Sequence, residues 1–177
     1  MASLYSQQYM RAINFALLRE GLDKLSVDPQ DNGNWTGGAA GKGTLVGTKW
    51  GISAAAFPTL DIPNLSRESV VGIYYKNYWC PLRGDELPPR LSICVLDSAI
   101  NQGVETAAKM LQVSVGLQAD GAVGPQTIAA VRSREQDDTI VAFLAERALR
   151  YAQSKQLATY GKGWMRRVMA ACMEASR

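Results

Sequence analysis

Apolar residues recur at helical spacing along most of the chain. Met10, Ile13, Ala16 and Leu17 share one face, which predicts an amphipathic first helix that stops at Gly21. Ser66 stands in an N-cap position before a segment through Trp79, with Val70, Ile73, Tyr74 and Asn77 along one side. Pro81 closes that segment. Pro88 and Pro89 suit the start of a third helix, apolar along Leu91, Cys94, Val95, Ser98 and Ala99 and stopped by Gly103. Val104–Val115 reads as a fourth helix closed by Gly116. The Asp120-Gly121 turn follows, and Pro125 opens a fifth helix. Asp137 or Asp138 caps a long helix to about Lys155, with Ile140, Phe143, Leu144, Arg147 and Tyr151 on one side. Gly161 and Gly163 interrupt it before a last helix carrying Trp164, Val168, Met169 and Cys172. About seven helices, no convincing extended strand and no linker predict an all-α (mainly α) single globular domain. A small hairpin or irregular flap is expected only near the glycine-rich residues 33–47.

One acidic residue falls on the apolar stripe of the first helix. Glu20 lies three residues after Leu17 and seven after Ile13, so it projects from the side that should be buried. A carboxylic acid there is costly unless it is paired or protonated. The plainer alternative is a frayed helix end that turns Glu20 to solvent or to a structural arginine. Downstream stand Asp31 in DPQDNG and Thr48 in GTKWGI, a second carboxylate and a hydroxyl. Hydrolysis of a glycosidic bond needs a protonated acid at the leaving oxygen. It also needs a group that orients water or supports the cationic transition state. Burial against apolar neighbours is how a Glu keeps its proton near neutrality.

Between Asp31 and Thr48 runs GGAAGKGT, which invites comparison with a phosphate-binding loop. Its spacing fails: three residues separate Gly37 from Gly41 and Gly43 follows Lys42, so nucleotide binding is discarded. A flap lining a substrate groove fits better, bracketed by Trp35 and Trp50. Trp50 either stacks on sugar rings or packs in the core. Tyr74 reads as core, while Tyr75 and Tyr78 are open to either role. Asp97 and Asn101 are four apart and share a helix face. They either contact substrate, with Asn101 the better candidate, or form a buried hydrogen-bonded pair.

Composition narrows the chemistry. The chain of 177 residues, 47% apolar, can bury one full core. No apolar run approaches membrane-spanning length, so no stable membrane insertion is expected. The opening MASLYSQQYMR lacks the pattern of a signal peptide, which predicts a chain made and folded in the cytoplasm. Cys80, Cys94 and Cys172 show no paired spacing, which argues against a disulfide framework. Histidine is absent, which removes Ser-His-Asp and Cys-His catalysis and His-ligated zinc together. Carboxylate chemistry survives. The net charge of +3 is uneven: from Arg147 to Arg177 there are seven Lys/Arg and one Glu, against twelve and fifteen elsewhere. That basic end either favours anionic envelope polymers or covers the solvent faces of the last helices. No nucleic-acid motif accompanies it.

Glu20-Gly21, Asp28-Pro29, Asp31, Gly33 and Thr48–Ile52 (TKWGI) resemble the opening of glycoside hydrolase family 108, peptidoglycan muramidases common among phage endolysins. Tyr74–Trp79 (YYKNYW), Asp97–Gly103 (DSAINQG), the LQ…DGAVGPQT run from Leu111 to Thr127, and Gly161–Val168 (GKGWMRRV) are similar too, in the same order. Two departures stand out. Leu22 replaces the second glycine of the family's E-G-G, and seventeen positions separate Asp31 from Thr48 where the family has a handful. The resemblance implies a lysozyme-like fold with residues 1–103 as a catalytic half. Residues 104–177 would be a helical half resembling a peptidoglycan-binding module on the same core. It implies Glu20 as catalytic acid, assisted by Thr48 and Asp31, on the β-1,4 bond between N-acetylmuramic acid and N-acetylglucosamine. Trp50, Asn101 and Tyr78 are the expected substrate contacts. No cofactor or metal is implied. The expected partners are glycan strands and, for release, a holin; a monomer is expected. A lytic transglycosylase and a non-catalytic wall-binding or secretion-associated module are the alternatives.

Overall fold

A computed structural model describes residues 4–20 and 23–177. Gly21, read above as the helix stop, and Leu22 lie outside the described residues. Among these, seven α-helices accompany one two-stranded antiparallel sheet, so the expectation of a mainly α fold is met. The helices are α1 Gln7–Leu17, α2 Arg67–Tyr74, α3 Pro89–Gln102, α4 Val104–Ser114, α5 Pro125–Arg132, α6 Gln136–Ala152 and α7 Leu157–Ala175. The strands β1 Thr48–Lys49 and β2 Ile52–Ser53 form a hairpin. No described helix is long and apolar enough to cross a membrane. The chain divides into two compact units, Ala16–Tyr74 and a larger one joining the residues up to Phe15 to Tyr75–Arg177.

The larger unit is built on α3. Every residue from Leu91 to Ala99 is buried, the mark of a helix surrounded by others; α4, α6 and α7 pack against it. Pro89 opens α3 where its missing N–H costs nothing, and Gly103 (φ 92°) ends it in a conformation that favours glycine. Cys94 is core, and burial pushes its thiol up to about 12. Cys80, Cys94 and Cys172 are all free.

Several boundaries differ from the sequence reading. Glu135 occupies the cap position of α6, and Asp137 and Asp138 lie in its first turn, where negative charge meets the positive end of the helix dipole. Helix α7 runs straight through Gly161 and Gly163, and the break falls earlier, between Ala152 and Leu157. A Cβ at Gly161 would stand 2.7 Å from Leu157 Cδ1, the movable end of a side chain one turn earlier. Residues Tyr75–Trp79 form a π turn, with the Cys80 N–H donating to the Tyr75 carbonyl at 2.9 Å. The wider turn shifts the faces: Trp79 is buried, whereas Asn77, expected on the apolar side, is exposed.

The smaller unit holds α2, the hairpin and ordered loops. Ser66 caps α2 as expected, its Oγ accepting the Ser69 N–H at 3.2 Å. The glycine-rich run folds back on itself, with Thr36 N–H to Thr44 O at 3.0 Å and Gly37 N–H to Lys42 O at 3.1 Å. An isolated bridge pairs Trp35 with Leu45. The flap is therefore a closed excursion, and β1 and β2 follow it.

Candidate active site

The hairpin organises the predicted residues of the smaller unit. Thr48 pairs with Ser53 and Lys49 with Ile52, leaving Trp50 and Gly51 as a two-residue turn. Both have positive φ, 56° and 76°, as the hairpin turn matched to strand twist requires. That turn ordinarily takes Asn-Gly. A tryptophan in the left-handed region is strained by roughly 1–2 kcal/mol. The hydroxyl of Tyr74 offsets this by donating to the Trp50 carbonyl at 2.9 Å. Tyr74 is 1% exposed, so the turn is tied to a buried anchor on α2. The Trp50 indole N–H is also buried, with no hydrogen-bond partner among the described residues.

Glu20 lies against this turn. It sits past the end of α1, in a turn closed by its own N–H to Leu17 O at 3.2 Å. The side chain is half-buried, not splayed into solvent. A Cβ at Gly51 would stand 2.9 Å from Glu20 Oε2 and 2.7 Å from the Tyr74 hydroxyl. Glycine at 51 is thus required twice, by its φ and by the approach of the carboxyl group.

Thr48 and Asp31 lie toward the open end of the same hairpin. The Thr48 backbone exchanges two hydrogen bonds with Ser26, each 2.9 Å, while its hydroxyl has no hydrogen bond among the described residues. Asp31 is exposed and accepts the Gly33 N–H at 2.8 Å, capping the short 3-10 turn Asn32–Asn34. A Cβ at Gly33 would be 3.2 Å from Asp31 Oδ1 and 3.7 Å from Ser53 Cβ. Glu20 therefore stands at the turn and Asp31 beside the opposite end. Two residues of strand, about 7 Å at ordinary rise, separate these places along the hairpin. Asn34 anchors the approach: its carbonyl accepts the Val46 and Gly47 N–H groups at 2.9 and 3.0 Å.

The other two predicted residues belong to the larger unit. Asn101 accepts a hydrogen bond from the Tyr151 hydroxyl, and Tyr78 is half-buried on the π turn. Asp97, grouped with Asn101 by spacing, is fully buried between Arg147 and Arg167; its pairing is structural. Sequence reasoning missed Gly51 and the second role of Tyr74. The Trp-Gly pair between Thr-Lys and Ile-Ser was the available hairpin signal. Among the described residues no group of three or more His, Cys, Asp or Glu can hold a metal ion.

The DGAVGPQT segment is tied by Gln112, whose amide donates to Asp120 Oδ1 at 2.6 Å and to Ala122 O at 3.0 Å. The same amide accepts the Gly121 N–H at 2.9 Å. Asp120 also accepts the Ala122 N–H, and these bonds hold its carboxyl below the usual carboxylate range.

Gly51→Ala tests the hairpin contact. We expect a folded protein destabilised by about 1–2 kcal/mol from the left-handed alanine. Loss of activity should exceed what the unfolded fraction explains, because the new methyl group displaces Glu20. Activity per folded molecule equal to the parent, measured at a temperature well below the melting point, would refute the contact's importance.

Comparison with known proteins places the chain in a family. A family model described as glycosyl hydrolase 108 matches residues 13–103, and one described as a predicted peptidoglycan domain matches residues 106–169. Among solved structures, that of Brucella abortus SagA is similar with a TM-score of 0.79 at 30% identity, over 95% of this chain and 93% of that one. No curated protein sequence matches significantly. With the residues around Glu20, the hairpin and α3 all inside a match to more than half its length, the chain belongs to glycosyl hydrolase family 108 and is a glycoside hydrolase acting on peptidoglycan.

Proposed function

We propose that the protein is a muramidase of the phage-endolysin type. It hydrolyses the β-1,4 bond between N-acetylmuramic acid and N-acetylglucosamine, with Glu20 as general acid. The observation that carries this reading is the seating of a half-buried Glu20 against the strained Trp50-Gly51 turn. Strain at a turn persists only where its surroundings hold it, and such turns cluster at functional sites.

In this mechanism Glu20 protonates the leaving glycosidic oxygen as the bond breaks, and positive charge spreads over the ring carbon and oxygen. The Thr48 hydroxyl, uncommitted among the described residues, orients the attacking water. Asp31, at the far end of the hairpin, steadies positive charge or takes the water's proton. Spacing about a hairpin's length apart favours inversion, in which water attacks directly. Trp50 shapes the site through its backbone and its part-buried ring.

Mass spectrometry of sacculi digested by the wild-type protein tests the chemistry. Muropeptides should carry a reducing N-acetylmuramic acid, heavier by one water than the anhydro product. Anhydro-muropeptides would overturn hydrolysis in favour of transglycosylation. Sacculi that bind the protein yet release no fragments would overturn catalysis altogether.

A further inference from the structure

A polar depression lies wholly within the larger unit, where the C-terminal ends of α3 and α6 meet α7. Its volume is about 460 Å³, within the range of roughly 300–1,000 Å³ typical of ligand sites. Asn101, Gln102, Arg150, Ser154 and Trp164 line it, together with Tyr151. Three features of this lining point to a ligand.

Its charge is of one sign. Arg150 is exposed, has no ion pair among the described residues, and is the only charged side chain in the lining. Glu105 and Glu146 line the neighbouring depression, which shares Arg150 and Gln153 with this one. The amide chemistry is also incompletely used. Gln102 Oε1 is buried with no hydrogen-bond partner among the described residues, an acceptor that costs free energy until an N–H reaches it. Asn101 spends its Oδ1 on the Tyr151 hydroxyl, and its Nδ2 makes no hydrogen bond among the described residues. The wall, finally, is rigid. Trp164 stacks on Tyr151 with centroids 4.8 Å apart and planes at 15°, and Arg147 fixes the Tyr151 hydroxyl at 3.2 Å.

A guanidinium, an acceptor awaiting an N–H and a spare amide donor together match a short peptide that carries a free carboxylate. Guanidinium–carboxylate pairing supplies the charge-assisted bond, and the amides pair with peptide groups. We infer that this depression binds the acidic stem peptide of peptidoglycan, holding the polymer by its peptide while the glycan is cut in the smaller unit. The inference rests on peptidoglycan being the substrate, as proposed above. It assigns to the larger unit a ligand contact separate from the DGAVGPQT turn.

The test uses full-length protein carrying Glu20→Gln, so that the result does not depend on catalysis. Three probes are titrated while the side-chain resonances of Asn101, Gln102 and Trp164 are followed by NMR. They are a disaccharide bearing a tetrapeptide stem, the free tetrapeptide, and chitotetraose, which has no peptide. Both peptide-bearing probes should move these resonances, and chitotetraose should not. Adding Arg150→Gln, a change at an exposed site, should weaken the two peptide-bearing probes about tenfold, the scale of one charge-assisted bond. Unmoved resonances with the stem-bearing probe, an equal response to chitotetraose, or unchanged affinity in Arg150→Gln would each overturn the inference. A wild-type protein that binds stem peptide through Arg150 but never cleaves sacculi would sink the muramidase reading alone.

Discussion

Glu20→Gln should abolish the clearing of bacterial sacculi while leaving the protein folded. Gln keeps the shape of the side chain, so its packing against Gly51 is preserved. It cannot deliver a proton to the leaving oxygen. General acid catalysis contributes about 10²–10⁴-fold, and loss of the developing negative charge beside an oxocarbenium-like sugar adds to that. The initial clearing rate should therefore fall by several orders of magnitude. Stability should barely change, because the side chain is only half-buried. Substitutions away from tightly packed sites cost within about 0.5 kcal/mol, or about 2 °C in melting temperature for a chain of this size. Co-sedimentation with sacculi should persist. Clearing within tenfold of the parent by a protein with unchanged melting temperature would remove Glu20 from the mechanism, and with it the roles given to Thr48 and Asp31.

The helical frame was readable because local chemistry and tertiary packing agree there. Pro89 and Pro125 start helices, Gly103 and Gly116 end them with φ of 92° and 73°, and Ser66 caps α2. Where packing overrode local preference the reading failed. Gly161 and Gly163 cost a helix about 1 kcal/mol each, yet α7 passes through both, since its other side chains close over the larger unit. Asn77 left the apolar face because a single π turn shifts the register, which no spacing rule anticipates. The site divides in the same way. Glu20 was singled out by its helical spacing from Ile13 and Leu17, yet α1 ends at Leu17 and Glu20 reaches the hairpin from the turn that follows. Gly51 was missed because its contact with Glu20 depends on Trp50 adopting a left-handed backbone, a choice intrinsic preference opposes. The excess of basic residues near the C-terminus was read as surface or polymer-binding charge. Two of those seven arginines and lysines, Arg147 and Arg167, instead meet a buried aspartate supplied by α3.

That aspartate carries the second large effect. Asp97 is fully buried, its Oδ2 accepting from Arg147 Nη1 at 2.7 Å and its Oδ1 from Arg167 Nη2 at 2.9 Å. Arg147 is as buried as its partner and passes a further hydrogen bond to Tyr151. One carboxylate thus compensates two guanidinium groups and ties α3, α6 and α7 together. In Asp97→Asn the two cations face each other without a counter-charge, one of them with no access to water. Breaking a buried pair from one side costs about 3–5 kcal/mol, which lowers the melting temperature by on the order of 10 °C. Arg147→Met should cost less, because Asp97 keeps Arg167 and the thioether chain fills part of the space. Arg167→Gln should cost least, since its side chain keeps some contact with solvent, 12% against none for the other two. Chemical denaturation of the three variants measures this ranking. Asp97→Asn within 1 kcal/mol of the parent, or less destabilised than Arg167→Gln, would mean that the buried carboxylate is not what holds the three helices in register.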